Sequence, residues 1–223
     1  MKEEKKEILV ERVLTVWGVV VILWSFFRSN VAGPLWLSEF IAKPAIFLLP
    51  ILVFVTRFQS GKGIASALGL QAQHTFREIL LALGIFLALM VIGAYTLMGG
   101  AVVSLLGSAQ WSRIMMFTTI ALATAVVEEI MGRGFLFRYL LQYSRSMLLS
   151  AVLSSILFFI LYLPGILTTS ISGQVLMMSL MLNLTISFVT IMLYSLRGNL
   201  YLPIAVHMAI LLWFDILWTS GVR

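Results

Sequence analysis

Residues 114–144 read IMMFTTIALATAVVEEIMGRGFLFRYLLQYS, a long apolar run that is interrupted by two adjacent glutamates, Glu128 and Glu129. An uncharged apolar run of about 17–25 residues is long enough to cross the hydrocarbon core of a bilayer as a helix. Ionisable side chains at that depth cost roughly 2.5–3.5 kcal/mol each on insertion scales and mark functional positions by default. This stretch therefore predicts a membrane helix that carries a polar site.

The composition of the whole chain agrees with a membrane protein. The 223 residues are 61% hydrophobic and 11% charged, whereas soluble domains are roughly 45–50% apolar and about 25% charged. The chain has no cysteine, which excludes disulfides, thiolate nucleophiles and thiolate metal sites. Basic residues at the ends of membrane spans explain the net charge of +6, so we expect a lipid bilayer and no nucleic acid as a partner.

Seven apolar runs predict an all-α polytopic transmembrane helical bundle of about seven spans, with an eighth short helix as the alternative. We interpret residues 1–223 as a single integral membrane domain. The second run contains Glu39 and Lys43, whose spacing lets them pair on one helix face. The third run is long enough to contain a break at Gly99-Gly100. The runs cover residues 13–27, 35–55, 79–106, 114–131, 147–163, 175–196 and 200–218.

The distribution of basic residues predicts the orientation of the chain. With a cytoplasmic N-terminus, eleven of the fifteen Lys and Arg residues fall on the cytoplasmic side, three fall outside and Lys43 lies within a span. This asymmetry is the positive-inside pattern, so we predict a cytoplasmic N-terminus and an external C-terminus. Phe26-Phe27-Arg28 follows the first run where a signal peptidase would need small residues, which predicts a retained first helix.

Helix geometry gives the two glutamates different surroundings. Glu129 precedes Arg133 by four residues, which is the favourable order for an ion pair on a helix. Glu128 lies about 100° further round the helix and can face an interior cavity, where a glutamate can act on water as a general base. The same three residues could equally form an ion-pair cluster that holds helices together, and the residues alone leave both interpretations open.

Three segments, in order, resemble the CAAX protease and bacteriocin-processing (CPBP, also called Abi) family of intramembrane endopeptidases. EEIMGRGFLFRYL, residues 128–140, resembles the first family motif, EExxxR followed by an apolar run. SSILFFILYL, residues 154–163, resembles the helix of the second motif, and YSLRGNLYLPIAVHMAIL, residues 194–211, resembles the third. The family-like core therefore covers residues 114–218.

The resemblance implies roles for four of these residues. Glu128 matches the glutamate that is thought to activate water in the family. Glu129 and Arg133 match its structural partners, and His207 matches the histidine of the third motif. The resemblance thus implies a glutamate-centred site inside the membrane.

Two positions differ from the family pattern. The second motif is FxxxH, but here Phe158 is followed at that spacing by Tyr162, and Leu211 stands where the family has Asn or another polar residue. A tyrosine can donate a hydrogen bond that orients water or stabilises an oxyanion, but it is a poor acid or base compared with imidazole. Asp215 and Asn183 are the candidates that could compensate for Leu211.

A helical hairpin would bring Glu128 and Tyr162 together. If Ser144-Arg145-Ser146 is the turn, Glu128 lies 17 residues before Arg145 and Tyr162 lies 17 residues after it. Equal distances from the turn place the two side chains at the same depth. We therefore predict that Tyr162 occupies the site of Glu128.

The resemblance implies an intramembrane endopeptidase like the CAAX prenyl proteases, acting on a membrane-associated peptide or protein in a prokaryotic-type cell membrane. We expect no cofactor, because one histidine and adjacent glutamates offer few neutral nitrogen ligands for a catalytic zinc; zinc is the alternative. A second hypothesis is a catalytically degenerate relative that binds a partner's transmembrane or lipidated segment, as a membrane scaffold or in an immunity-type role. A third hypothesis is a small transporter or proton relay built on the same carboxylates.

Overall fold

A computed structural model describes residues 2–31, 33–58, 63–71, 73–98, 111–164 and 173–220. These residues are 91% helical and contain no strand, which confirms the predicted all-α fold class. The possible break at Gly99-Gly100 lies outside the described residues.

Within the described residues, each of the seven predicted runs lies mainly on a helix; residues 99–106 of the third run are outside them. Within the described ranges, five helices are long and apolar enough to cross a membrane, and two shorter apolar helices correspond to the fifth and seventh runs. The protein is therefore an integral membrane protein, as predicted. The helices are α1 (Lys2–Asn30), α2 (Leu35–Phe58), the short α3 (Ile64–Ala67), α4 (Thr75–Gly93, continued by the π-helical turn Ala94–Met98), α5 (Trp111–Ser144), α6 (Met147–Ile160), α7 (Gly173–Arg197) and α8 (Tyr201–Ser220).

Helix α5 is longer than the predicted span at residues 114–131, because it continues without a break to Ser144. Its middle section, Ile130–Phe137, is π-helical and fully buried. A second π-helical section, Ser38–Ala42, interrupts α2. Short π-helical sections inside α-helices are rare and often lie at functional sites. These two sections adjoin the charged residues Lys43 and Glu129, whereas the π-helical turn Ala94–Met98 of α4 contains no charged residue.

The predicted hairpin turn is confirmed. Helix α5 ends at Ser144, Arg145 adopts a left-handed backbone conformation with φ 55°, and α6 begins at Met147. The side chain of Ser146 accepts a hydrogen bond from the backbone N–H of Leu149 and caps α6. The turn brings α6 back along the buried π-helical section of α5.

The segment 63–71 closes one end of the bundle. Arg138 of α5 donates hydrogen bonds to the carbonyl oxygens of Ser66 and Ala67 at 2.7 and 2.8 Å. The hydroxyl of Tyr201 donates to the Leu70 carbonyl at 2.6 Å. Gly134 is needed here, because a Cβ at this position would lie 2.5 Å from the Leu68 carbonyl oxygen.

Helix α8 is the second central element after α5. It packs against α4, α5 and α7, while α7 also contacts α6, and α1 packs on α2. Large apolar side chains remain exposed along the outer helix faces, as expected where lipid replaces water as the solvent. This arrangement places charged residues of α2, α5 and α8 on the inner faces of the bundle.

Candidate active site

Glu128 is the centre of a buried polar cluster. Its side chain is at the end of the regular α-helical part of α5, and the residue is 2% exposed. The ammonium group of Lys43 lies 3.1 Å from Oε1, and the hydroxyl of Tyr162 donates a hydrogen bond to Oε2. Nε2 of His207 lies 3.5 Å from Oε2. The structure thus brings Glu128, Tyr162 and His207 together, and it adds Lys43.

Glu129 joins this cluster through contacts with His207 and Arg133. It is fully buried, and its Oε1 lies 2.7 Å from Nδ1 of His207 and 3.3 Å from Nη1 of Arg133. The guanidinium group of Arg133 lies over the ring of Phe158, 5.3 Å from the ring centroid. An ionised carboxylate only accepts hydrogen bonds, so the contact with Glu129 favours the tautomer of His207 that has its proton on Nδ1, and Nε2 faces Glu128. Glu129 therefore sets the orientation of the imidazole ring.

Glu39 and Lys43 extend the cluster into α2. Lys43 forms a hydrogen bond with Glu39, as the spacing predicted, and Lys43 is 6% exposed. Thr124 of α5 donates a hydrogen bond to Oε2 of Glu39 at 2.9 Å, and the Ser38 hydroxyl donates to Oε1 at 3.4 Å. Sequence reasoning found the pair but did not place it beside Glu128. The available signal was a pair of charged residues inside an apolar run.

The charges of the cluster are nearly balanced. Three carboxylates are buried with two permanent cations, Lys43 and Arg133, and a proton on His207 would make the balance exact in number. Buried charges are stable only when they are paired and hydrogen-bonded. The arrangement can therefore hold a carboxylate charge next to an imidazole that accepts and donates protons.

Two cavities meet at this cluster. The smaller has a volume of about 210 Å³, and since water occupies about 30 Å³ per molecule in the liquid, it can hold several waters. The larger, of about 590 Å³, is mostly apolar. Phe158 and Tyr162 line both cavities. The smaller cavity is lined by Trp24, Arg28, Glu39, Lys43, Phe47, Glu128, Phe158, Leu161 and Tyr162. The larger is lined by Arg133, Phe158, Phe159, Tyr162, Met178, Ser179, Leu182, Asn183, Ile186, Ser187, His207, Ile210, Leu211 and Phe214.

The candidates for compensating Leu211 differ in position. Leu211 and Asn183 both line the larger cavity, whereas the residues that line the two cavities do not include Asp215. Oδ1 of Asn183 is buried and has no hydrogen-bond partner among the described residues, and the same holds for all three guanidinium nitrogens of Arg133. Asn183 is therefore the better placed of the two candidates.

Metal ligands are not grouped in the described part of the chain. Among residues 2–31, 33–58, 63–71, 73–98, 111–164 and 173–220, no three His, Asp or Glu side chains are arranged to hold a metal ion. The absence of a cofactor stays a prediction, and chelation of the purified protein would test it.

Part of the chain matches a known family. Residues 109–213 match the family model described as Rce1-like, type II CAAX prenyl endopeptidase Rce1-like. No curated protein and no solved structure matches the chain. The matched segment contains Glu128, Tyr162 and His207, while Glu39 and Lys43 lie outside it.

Proposed function

We propose that this protein is an intramembrane endopeptidase in which Glu128 activates the attacking water, since residues 109–213 match the family model of Rce1-like type II CAAX prenyl endopeptidases. The observation that supports this most directly is the position of Glu128. Its carboxylate lines the smaller cavity, which can hold water, and it lies 3.5 Å from the imidazole of His207. A base next to a confined water is what peptide hydrolysis requires.

The proposed reaction uses three side chains. Glu128 takes a proton from a water in the smaller cavity, and the hydroxide oxygen bonds to the carbonyl carbon of the scissile peptide. The hydroxyl of Tyr162 donates to Glu128 before the reaction; once Glu128 has taken the proton from water, this single O–H can turn to donate to the resulting oxyanion. The C–N bond then breaks as the proton passes to the leaving amine, with His207 assisting the transfer.

The larger cavity is the proposed substrate site. Met178, Leu182 and Phe214 at its edge are 64%, 44% and 56% exposed, so the cavity opens on the outer, apolar surface of the bundle. A peptide that reaches the cavity through this opening must itself be apolar or lipid-modified. We therefore propose a membrane-associated peptide, prenylated as the family description indicates, as the substrate.

A cleavage assay tests the proposal. Full-length protein is reconstituted in lipid vesicles with a farnesylated peptide that ends in a CAAX sequence, and the products are identified by mass spectrometry. We expect Glu128→Gln to lower the rate by about 100-fold or more, because general-base catalysis contributes roughly that much. Glu11→Gln, which changes an exposed glutamate of α1, should cleave at the wild-type rate. A wild-type rate in Glu128→Gln would contradict the assignment.

One observation favours a second candidate function. Lys43 and Tyr162 engage the two oxygens of Glu128, and Leu211 offers no polar group to the larger cavity. In a non-cleaving relative, Glu128 would stay bound to Lys43 and Tyr162, and the larger cavity would be free to bind a partner's transmembrane or lipidated segment. Binding of the same farnesylated peptide by the wild type, without any product, would support this function, and wild-type cleavage would exclude it.

A further inference from the structure

We propose that Lys43 is a positioning residue for Glu128, which supplies the counter-ion that stabilises the ionised carboxylate and holds it at the wall of the smaller cavity. The inference rests on the proposed function, in which Glu128 is the working carboxylate. It also means that the site is completed by α2, which lies outside the family-matched segment 109–213.

The position of Lys43 is unusual for a lysine in a membrane helix. A lysine near the end of a span normally extends its chain towards the membrane surface and keeps its ammonium group in water. Lys43 instead is 6% exposed and points into the bundle, with Nζ 3.1 Å from Oε1 of Glu128. It follows directly on the π-helical turn Ser38–Ala42. The extra residue of such a turn changes the direction of the side chains that follow it.

Two further contacts hold the ammonium group in place. Lys43 is paired with Glu39, and Glu39 is itself fixed by the Thr124 hydroxyl of α5 at 2.9 Å. On another side, the Lys43 ammonium group lies 5.7 Å from the ring centroid of Trp24 in α1, within the range of a cation–π interaction. Lys43 is therefore oriented by α1, α2 and α5 together, which is the kind of support that a positioning residue needs.

The other cation of the cluster, Arg133, is not the counter-ion of Glu128. Arg133 pairs with Glu129, and it lines the larger cavity, whereas Glu128 and Lys43 line the smaller one. An ionised carboxylate that is buried needs a cation or several hydrogen bonds within a few ångströms. The ion-pair contacts of Glu128 are those with Lys43 and His207. Of these two, the ammonium group of Lys43 is the nearer, at 3.1 Å against 3.5 Å for Nε2 of His207.

Carbodiimide labelling measures the effect of Lys43 on the ionisation of Glu128 without any substrate. Dicyclohexylcarbodiimide enters membranes and reacts with a protonated carboxyl group. The carboxyl O–H adds across one C=N bond, and the acyl group then migrates to nitrogen, so nothing leaves and the product is a stable N-acylurea. Full-length protein in lipid vesicles is treated with this reagent, and the modified peptide containing Glu128 is quantified by mass spectrometry.

Loss of the Lys43 counter-ion should increase the fraction of Glu128 that is protonated and can therefore react with the carbodiimide. We expect Glu128 to be labelled about tenfold faster or more in Lys43→Met than in the wild type. At this distance, even with a high effective dielectric constant, the attraction between the two charges changes the protonation equilibrium of the carboxyl group by about tenfold or more. Lys43→Arg should label slowly, because it restores a cation. The matched control is Arg28→Met, which removes the other cation that lines the smaller cavity but makes no ion pair with Glu128; it should label like the wild type.

The outcomes separate this inference from the proposed function. Equal labelling of Glu128 in Lys43→Met and wild type overturns the inference, even if Glu128 proves essential for cleavage. If Lys43→Met does not fold, the double variant Glu39→Gln with Lys43→Met keeps the net charge and should show the same fast labelling. Where cleavage is measurable, Lys43→Met should lower kcat with KM unchanged, and Lys43→Arg should restore kcat. If Lys43 only held helices together, any substitution that allowed folding would restore kcat.

Discussion

Replacing Glu129 by glutamine removes one charge from the most deeply buried ion pair of the site. Glu129 is 0% exposed and Arg133 is 2% exposed, and the Oε1–Nη1 distance is 3.3 Å. Glutamine keeps the shape of the side chain and can still accept the hydrogen bond from Nδ1 of His207. The charge of Arg133, whose guanidinium nitrogens have no hydrogen-bond partner among the described residues, would then be buried without compensation. Removing one partner of a buried pair costs about 3–5 kcal/mol of unfolding free energy.

Unfolding of the full-length protein in mixed micelles measures this cost. The fraction of sodium dodecyl sulfate is raised and the helical circular dichroism signal is followed for wild type and Glu129→Gln. The matched control is Glu11→Gln, which makes the same change at an exposed glutamate of α1. We expect the control to unfold with the wild type, because substitutions of exposed residues usually change stability little.

A double variant shows whether the loss comes from the pair. Removing both charges of a buried pair is often nearly neutral, so Glu129→Gln with Arg133→Met should regain most of the stability that Glu129→Gln alone loses. Two results would refute this reasoning. One is a loss below about 1 kcal/mol for Glu129→Gln, the size of an ordinary substitution; the other is a double variant no more stable than the single one.

Three other predictions concern packing, the altered motif positions and metal. Gly134→Ala should destabilise the protein by about 1–3 kcal/mol and make residues 63–71 more accessible to proteases, because the new Cβ would lie 2.5 Å from the Leu68 carbonyl oxygen; Gly84→Ala, with no atom within 4 Å of its Cβ, is the control. Tyr162→His combined with Leu211→Asn should raise or create cleavage of the farnesylated peptide in the vesicle assay. A double variant that cleaves more slowly than the wild type would contradict the proposed roles of these positions. Chelator treatment should leave cleavage unchanged, and stoichiometric zinc in the purified protein would contradict this.

The sequence predicts the helices well because their signals are local. Long apolar runs identify each span, and the turn at Ser144-Arg145-Ser146 follows from a short polar interruption. The continuation of α5 to Ser144 was not predicted as part of the span, because Arg133 and Arg138 interrupt the apolar run. The structure shows why Arg138 is tolerated, since the carbonyl oxygens of Ser66 and Ala67 accept its hydrogen bonds.

The site was predicted in part. The family motifs indicated Glu128, Glu129, Arg133 and His207, and the hairpin geometry placed Tyr162 beside Glu128. These side chains do lie together, while their catalytic roles stay predictions.

The contact of Lys43 with Glu128 was missed because it joins residues 85 positions apart. Helical periodicity relates only residues within one helix, and the neighbouring Glu39 already accounted for the charge of Lys43. The π-helical turns also have no simple signal in the pattern of apolar residues. Both features depend on how helices pack, which a single sequence does not specify.

The central claim is that Glu128 activates water to cleave a peptide bond. The direct measurement is cleavage of the farnesylated peptide by the reconstituted protein in water labelled with heavy oxygen, with the new C-terminus analysed by mass spectrometry. We predict one heavy oxygen atom in that carboxyl group for the wild type and for Glu11→Gln, and a product yield lower by about 100-fold or more for Glu128→Gln. Equal yields of labelled product from Glu128→Gln and the wild type would contradict the claim.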